Sequence, residues 1–363
     1  MSFLVNQDLE EFSTSLKEFF DAEAPLEKVR ALNPQAWTDW QAKLWAKIAE
    51  LGVFAAAARE EHQGLGLGQC AVDVISRLSA AALLPIPLAE TLLFGIQAIS
   101  TFANHTTQSA YLENIINGNL RVTGSFTKSN LKLTDASVSG ELEVVPALAW
   151  ASKVIFLAQA ENQAFKLCAL DNTNLDTDYT SGLDLIRPYC TILLKSTPVT
   201  ILSDDLSAKD LELYTQLVNT TLASELVGCG VKALELTTEY VKTREQFGKP
   251  IGSFQAVQHK ISDMYLAVEA CGTLTRFSSW CFDNDQVQFA KVSAAAKALT
   301  SENMPAVLEK SIQTHGGMGF THEYPLHLYL RRAVVNSKLG NTYSDLYSLV
   351  ASQSLATTSS PDS

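Results

Sequence analysis

The sequence predicts a mainly α protein with a central β domain: an N-terminal α domain, a middle antiparallel β-barrel or sheet, and a C-terminal four-helix bundle. Three observations predict it. Apolar residues recur every three or four positions from Gln7 to about Asn117. The period drops to two and β-branched residues accumulate between about Gly118 and Leu202. Long helical patterns then return from Ala208. A chain of 363 residues exceeds what one hydrophobic core organises, so domains are expected at 1–117, 118–205 and 206–355, with a disordered tail at 356–363.

In the first region Leu9, Phe12, Leu16, Phe19 and Phe20 fall on one helical stripe. The glycines of Glu60–Gly68 interrupt the pattern before a helix expected near Val72. With no Lys or Arg in that loop, an interhelical turn explains it better than a phosphate cradle. The apolar run from Ala80 to Gly95 is cut by Pro85 and Pro87 and is too short to cross a bilayer, so a buried helix pair is expected. In the middle region Val154–Leu157, Phe165–Leu170 and Thr191–Leu194 are strand candidates separated by turn residues. No G-x-G-x-x-G follows any of them, so a Rossmann site is not indicated. The last region carries helical patterns at about 209–244, 254–281, 286–314 and 326–352. Asn284 or Asp285 is the expected cap of the third, Gly316-Gly317 its end, and Pro305 predicts a kink within it.

An apolar content of 47% with 18% charged residues suits a globular protein. The net charge of −12 without a basic run disfavours nucleic acid or an anionic membrane surface as partner. The six cysteines lack metal-ligand spacing and are expected to be buried free thiols. The acidic first residues do not resemble a secretory or mitochondrial targeting segment, so the cytoplasm is the expected compartment. His259, His315, His322 and His327 do not converge with carboxylates in the pattern a metal site requires.

Two strings carry chemistry: Thr243-Arg-Glu-Gln-Phe-Gly-Lys-Pro-Ile-Gly252 and Gln313-Thr-His-Gly-Gly-Met-Gly-Phe-Thr-His-Glu-Tyr-Pro325. Each sets a glycine-rich bend beside polar groups at the end of a long helix. An Arg fork, an amide that both donates and accepts, and a backbone open to close approach together suit a diphosphate. Taken alone, Arg244 would be a surface cation complementing a helix dipole. In this order the strings resemble the C-terminal domain of the acyl-CoA dehydrogenase family, and the domain order extends the resemblance over the whole chain.

The resemblance implies FAD as cofactor, an acyl-CoA substrate and an electron-accepting flavoprotein as outlet. It implies FAD contacts at Arg244, Gln246, Phe247, Gln313 and Gly317, offered across a subunit interface, with Thr127 and Thr342 as further contacts. Glu323-Tyr-Pro325 and Arg331 also match and are expected to fix the bundle. The chain departs from the family at the base that takes the α-proton of the thioester. Where most members place a glutamate before Gly-Thr, this chain has Gly340 before Asn341-Thr342; at the alternative position counted back from Arg244 it has Val218. Asn219 stands where many relatives carry a cation near the thioester. The flavin-cradling loop corresponds to Ser125–Leu131, without the family's glycines.

The pattern looks like the short, hetero-oligomeric subfamily acting on CoA thioesters of bulky acyl groups such as steroid side chains, in which one subunit type lacks the base. A homologous subunit, in a heterotetramer, is the expected partner; a homo-oligomer stays open. Two rival readings also stay open: a self-sufficient enzyme using Glu225, which is otherwise a structural carboxylate, and a flavin-free acyl-CoA-binding scaffold.

Overall fold

The computed structural model describes residues 7–127, 129–173, 175–180 and 182–358. Two compact units divide the chain: one comprises the residues up to Ile75 and Leu84–Val218, the other Ser76–Leu83 and the residues from Asn219 on.

The first unit opens with helices α1 (Gln7–Glu23), α2 (Leu26–Arg30), α3 (Asp39–Glu50) and α4 (Val53–Ala57). Leu16 and Phe20 of the α1 stripe are buried. Thr38 and Gln41 close a capping box at the start of α3, a reciprocal pairing that satisfies two otherwise orphaned N–H groups. The glycine loop after α4 folds back on that helix. Leu65 N donates to Ala55 O at 2.7 Å, Gly66 N to Ala58 O at 3.0 Å and Leu67 N to Ala56 O at 3.2 Å. Any side chain at Gly64 would meet Ala58 O, 2.1 Å from an ideal Cβ. Loop N–H groups already committed to α4 make it an interhelical turn and leave none of those three for an anion. The next helix, α5 (Gly68–Ala81), starts four residues before Val72 because Gly68 itself is helical.

Leu88–Phe102 is one buried helical segment with three parts: α6 (Leu88–Glu90), a π-helical stretch Thr91–Gln97, and α7 (Ala98–Phe102). It is followed by α8 (His105–Ile116), capped by Asn104, whose Oδ1 accepts from Thr107 N at 3.0 Å.

Eight strands follow: β1 (Val122–Gly124), β2 (Lys132–Thr134), β3 (Ser137–Pro146), β4 (Lys153–Ala160), β5 (Phe165–Asp171), β6 (Asp176–Thr180), β7 (Tyr189–Pro198) and β8 (Thr200–Ile201). They form one sheet in the order β6-β7-β3-β2-β4-β5-β8, with β1 beside β4. The expected antiparallel pairing holds for β3–β7, β4–β5, β5–β8, β6–β7 and β2–β3, whereas β4 runs parallel to both β1 and β2. Alternation places Leu133, Val138, Leu142, Phe156, Cys168 and Ile192 in the core of this sheet. The register shifts between Leu142 and Val145, where Val144 has φ of 52°, and this bulge turns the Glu143 carbonyl toward the Ser125–Thr127 loop.

The second unit contains α9 from Asn219 onward (the helix spans Ala208–Thr243), a two-residue ladder of β9 (Glu245–Gln246) with β10 (Lys249–Pro250), then α10 (Gln255–Asn284), α11 (Gln286–His315), α12 (Leu326–Lys338) and α13 (Tyr343–Thr358). Asp285 caps α11 by accepting from Gln288 N at 3.2 Å, and α11 packs against α10, α12 and α13. Pro305 lies inside α11 without ending it. The helix expected over 326–352 is two helices. Gly340, with φ of 69°, provides the left-handed residue after α12, and the Thr342 hydroxyl accepts from Asp345 N at 3.3 Å to start α13. The tail expected from 356 is helical as far as Thr358, and the rest of it lies outside the described residues.

Among the described residues no helix is long and apolar enough to cross a membrane, and no group of three or more His, Cys, Asp or Glu gathers as a metal site would require. The cysteines are free; burial pushes Cys168, Cys190 and Cys271 up to about 12 and Cys281 up to about 11.

Candidate functional site

The two sequence strings come together at one end of the second unit through Tyr240 and His315. Tyr240, one turn before Arg244, stacks on the His315 ring at 4.2 Å, and its hydroxyl donates to His315 O at 3.3 Å. Tyr324 packs on the other ring of the pair, 4.4 Å from His315 and 6.2 Å from Tyr240. This aromatic cluster holds the C-terminal ends of α9 and α11 side by side and gives the Glu-Tyr-Pro string a packing role. Burial lowers the His315 pKa, and its Nδ1 lies 2.8 Å from Ser311 O, so a neutral ring donating from Nδ1 suits the site.

Arg244 follows α9 directly, is exposed, and is joined to no carboxylate among the described residues. Its carbonyl accepts from Ile251 N at 2.8 Å, which closes the loop bearing the β9–β10 ladder. At the tip Phe247 and Gly248 have φ of 54° and 78°, the two positive values a two-residue type I′ hairpin demands. Phe247 is 93% exposed, edge-on to Phe254 at 6.2 Å, and Gln246 is exposed beside it. A bulky residue in a left-handed conformation with its ring in water is unfavourable on both counts. Across the cluster, Gln313 is exposed with its Oε1 accepting from Lys260 Nζ at 3.3 Å, and nothing lies within 4 Å of a Cβ built on Gly316 or Gly317. Phe320, just beyond, is 79% exposed. This set fits the diphosphate half of a dinucleotide: a free guanidinium fork, two amides and an open glycine backbone share one surface.

The first unit presents a different picture at Thr127. Ser125 Oγ donates to Glu143 O at 2.6 Å and accepts from Thr127 N at 3.2 Å, and the Ser125 and Thr127 hydroxyl oxygens are 3.1 Å apart. The loop is thus cross-braced by its own hydroxyls, and Lys128 falls outside the described residues. Behind it lies an ion pair that sequence reasoning did not single out. Arg187, with only 3% of its side chain exposed, donates from Nη1 to Glu90 Oε1 at 2.9 Å and from Nε to Tyr189 Oη at 3.0 Å. Its partners lie 97 and 2 residues away, a separation no local pattern announces.

In the second unit the position of the family base is occupied by structure. Leu339 is buried and Gly340 terminates α12. Asn341 N donates to Asn219 Oδ1 at 3.3 Å and Asn219 Nδ2 to Asn341 Oδ1 at 3.2 Å. Thr342 donates its hydroxyl to Asp345 Oδ2 at 2.7 Å, so it acts as the cap of α13. Val218 is buried in the first unit. Glu225 is 2% exposed, and its Oε2 accepts from Asn336 Nδ2 at 2.9 Å. Asn336 O in turn accepts from Lys297 Nζ at 2.7 Å, and the same amine donates to Ser301 Oγ at 2.9 Å. Lys297 is fully buried, which brings its pKa down to about 7. A helical periodicity that counts Lys as polar passes over such a residue.

The chain matches the family model described as "Acyl-CoA dehydrogenase, N-terminal domain" over residues 6–119 and that described as "Acyl-CoA dehydrogenase, C-terminal domain" over residues 220–340. It is 30% identical over 315 residues to the protein named acyl-CoA dehydrogenase FadE34 of Mycobacterium tuberculosis, an alignment taking in 83% of this chain and 40% of that protein. The chain spans less than half the length of that relative. The fold matches a structure of the ChsE4-ChsE5 complex from Mycobacterium tuberculosis at a TM-score of 0.86 and 18% identity, covering 100% of both chains. It also matches a variant of the Tcur3481-Tcur3483 steroid ACAD at a TM-score of 0.85 and 24% identity, covering 98% of this chain and 99% of that one. With family models matched on both sides of the β domain and the same three-part architecture throughout, the chain belongs to the acyl-CoA dehydrogenase family.

Proposed function

We propose that this chain is a subunit of an FAD-dependent acyl-CoA dehydrogenase, in the cytoplasm, that completes the flavin site of a homologous partner and leaves proton abstraction to it. The observation that carries this reading is the Leu339–Thr342 turn, where a C-cap glycine, an asparagine pair and a helix-capping threonine stand in place of a proton acceptor. Flavin, when bound, supplies the hydride acceptor for α,β-desaturation of the acyl thioester. Arg244, Gln246, Phe247, Gln313 and Gly317 would hold its diphosphate half, and Thr127 and Thr342 are further contacts. The exposed Phe247 and Phe320 support a surface completed by another chain, because burying each would recover about 1.5–3 kcal/mol. The braced Ser125–Thr127 loop supports the idea that this chain's own flavin pocket is weak. A bulky acyl group, such as a steroid side chain, is the proposed substrate, following the steroid ACAD among the structural neighbours. Reduced flavin would pass its electrons to a separate flavoprotein.

The flavin-to-protein ratio, read from visible absorbance, tests this for the chain alone and after copurification with its homologous partner. Little flavin alone, flavin and acyl-CoA turnover in the mixture, and a loss of about tenfold in flavin affinity for Arg244→Ala are expected, from one charge-assisted contact. A yellow homo-oligomer that desaturates acyl-CoA unaided would instead give Glu225 the role of base. A mixture that stays colourless would leave a flavin-free scaffold.

A further inference from the structure

We infer that two copies of this chain associate through the exposed face of α10, antiparallel about a two-fold axis near its middle. This inference concerns a surface separate from the proposed flavin contacts and stands without them. Leu266 is 64% exposed and Tyr265 52%, and a shallow, mostly apolar groove runs along the same helix past Glu269, Ala270, Thr273 and Phe277. At 100° per residue, Ser262, Leu266, Ala270, Thr273, Phe277 and Trp280 share one stripe, the 3-4-3-4-3 spacing of a helix seam. Ala270 and Thr273 lie at its centre, where small side chains let two helices approach.

The charges decide the occupant. Glu269 and Arg276 flank the stripe on the same side, seven residues apart, both are exposed, and neither has an ion-pair partner in its own chain among the described residues. In an antiparallel pair about a two-fold axis between residues 272 and 273, position i faces position 545 − i. Glu269 of one copy then faces Arg276 of the other, and the symmetry repeats the pair on the same side. The same operation brings Tyr265 opposite Trp280 and Leu266 opposite Ser279, so the bulky N-terminal half of the stripe meets the aromatic C-terminal half. An isologous interface requires this match of a face with its own reverse. A chain of net charge −12 repels its copies in general, so this local complementarity is what would orient the encounter.

Sedimentation equilibrium of the full-length chain at micromolar concentrations, with charge-reversal variants, tests the inference. Glu269→Arg and Arg276→Glu, each of which turns two attractions into two repulsions, are expected to raise the dimer dissociation constant about tenfold or more. The double variant Glu269→Arg/Arg276→Glu is expected to return to within about threefold of wild type, since the reciprocal pairs re-form with reversed sense. Leu266→Lys, at a position already in water in the single chain, is expected to abolish association while leaving thermal unfolding of the monomer unchanged. Arg244→Ala, on the proposed flavin surface, is expected to leave dimerisation as it was, so the two readings fail separately. A wild-type chain that sediments as a monomer overturns the inference, as do single reversals that leave the constant unchanged or a double variant that stays dissociated. So does a Glu269→Arg chain whose self-association persists, since the contact then lies elsewhere.

Discussion

Glu225 is held in place by one hydrogen bond from Asn336, and that bond defines what its substitutions should do. Gln at 225 keeps an oxygen that can accept from the Asn336 amide, so Glu225→Gln is expected to fold normally and to leave acyl-CoA turnover of the mixed assembly nearly intact. Steady-state kinetics with full flavin occupancy check this; a collapse of turnover would identify the carboxylate as the base. Glu225→Ala leaves the buried Asn336 amide short of an acceptor and should destabilise the chain by about 1–3 kcal/mol in denaturant titrations. Arg244, Gln246 and Phe247 were legible as a string because the chemistry and the turn lie in consecutive residues. Tyr240 was not. Its value lies in stacking on a histidine 75 positions later, and a tyrosine on a helix carries no local mark of that.

Element by element, the long helices and the main strands were legible, since each buries a continuous stripe or alternate faces over many residues. The break between α12 and α13 was not recovered, although Gly340-Asn341-Thr342 contains both stop and start signals, because the apolar periodicity resumes in phase soon after it. The parallel pairing of β4 with β1 and β2 was equally hidden, since a short strand does not encode its neighbour's direction. Gly340→Ala tests the turn directly. A Cβ in the left-handed region is expected to cost about 1 kcal/mol, read as a lowered denaturation midpoint with an unchanged slope. Gly340→Glu would bear the same backbone strain, so failure to gain activity from it alone would not separate a strained turn from an absent flavin pocket; flavin content has to be measured alongside.

For the molecule as a whole, stability should depend on pH through Lys297. The unfolded chain keeps a lysine protonated up to about pH 10.4, whereas the buried amine releases its proton near 7. Between those values the unfolded state binds more protons, so this residue makes stability rise with pH. The contribution is full above the unfolded value, is lost as pH falls toward 7, and changes little below that. Relative to Lys297→Met, the wild-type chain should therefore gain about 2–3 kcal/mol between pH 7.5 and 9.5, measured by denaturant unfolding at both values. A neutral amine also suits its two acceptors, Asn336 O and Ser301 Oγ, since it has a hydrogen for each.

The π-helical stretch Thr91–Gln97 has a different consequence, for which changes of length this chain can survive. A π turn holds one residue more than an α turn, so losing a single residue there would restore ordinary winding and swing Ala98–Phe102 by about 100° relative to Leu88–Glu90. Leu88, Glu90, Leu92, Ile99 and Phe102 are all buried, so that rotation would carry Ile99 and Phe102 off their packing partners while Glu90 remained paired with Arg187. Point replacements of similar volume should be tolerated here far better than any insertion or deletion, which makes this span a fixed ruler for aligning more distant relatives.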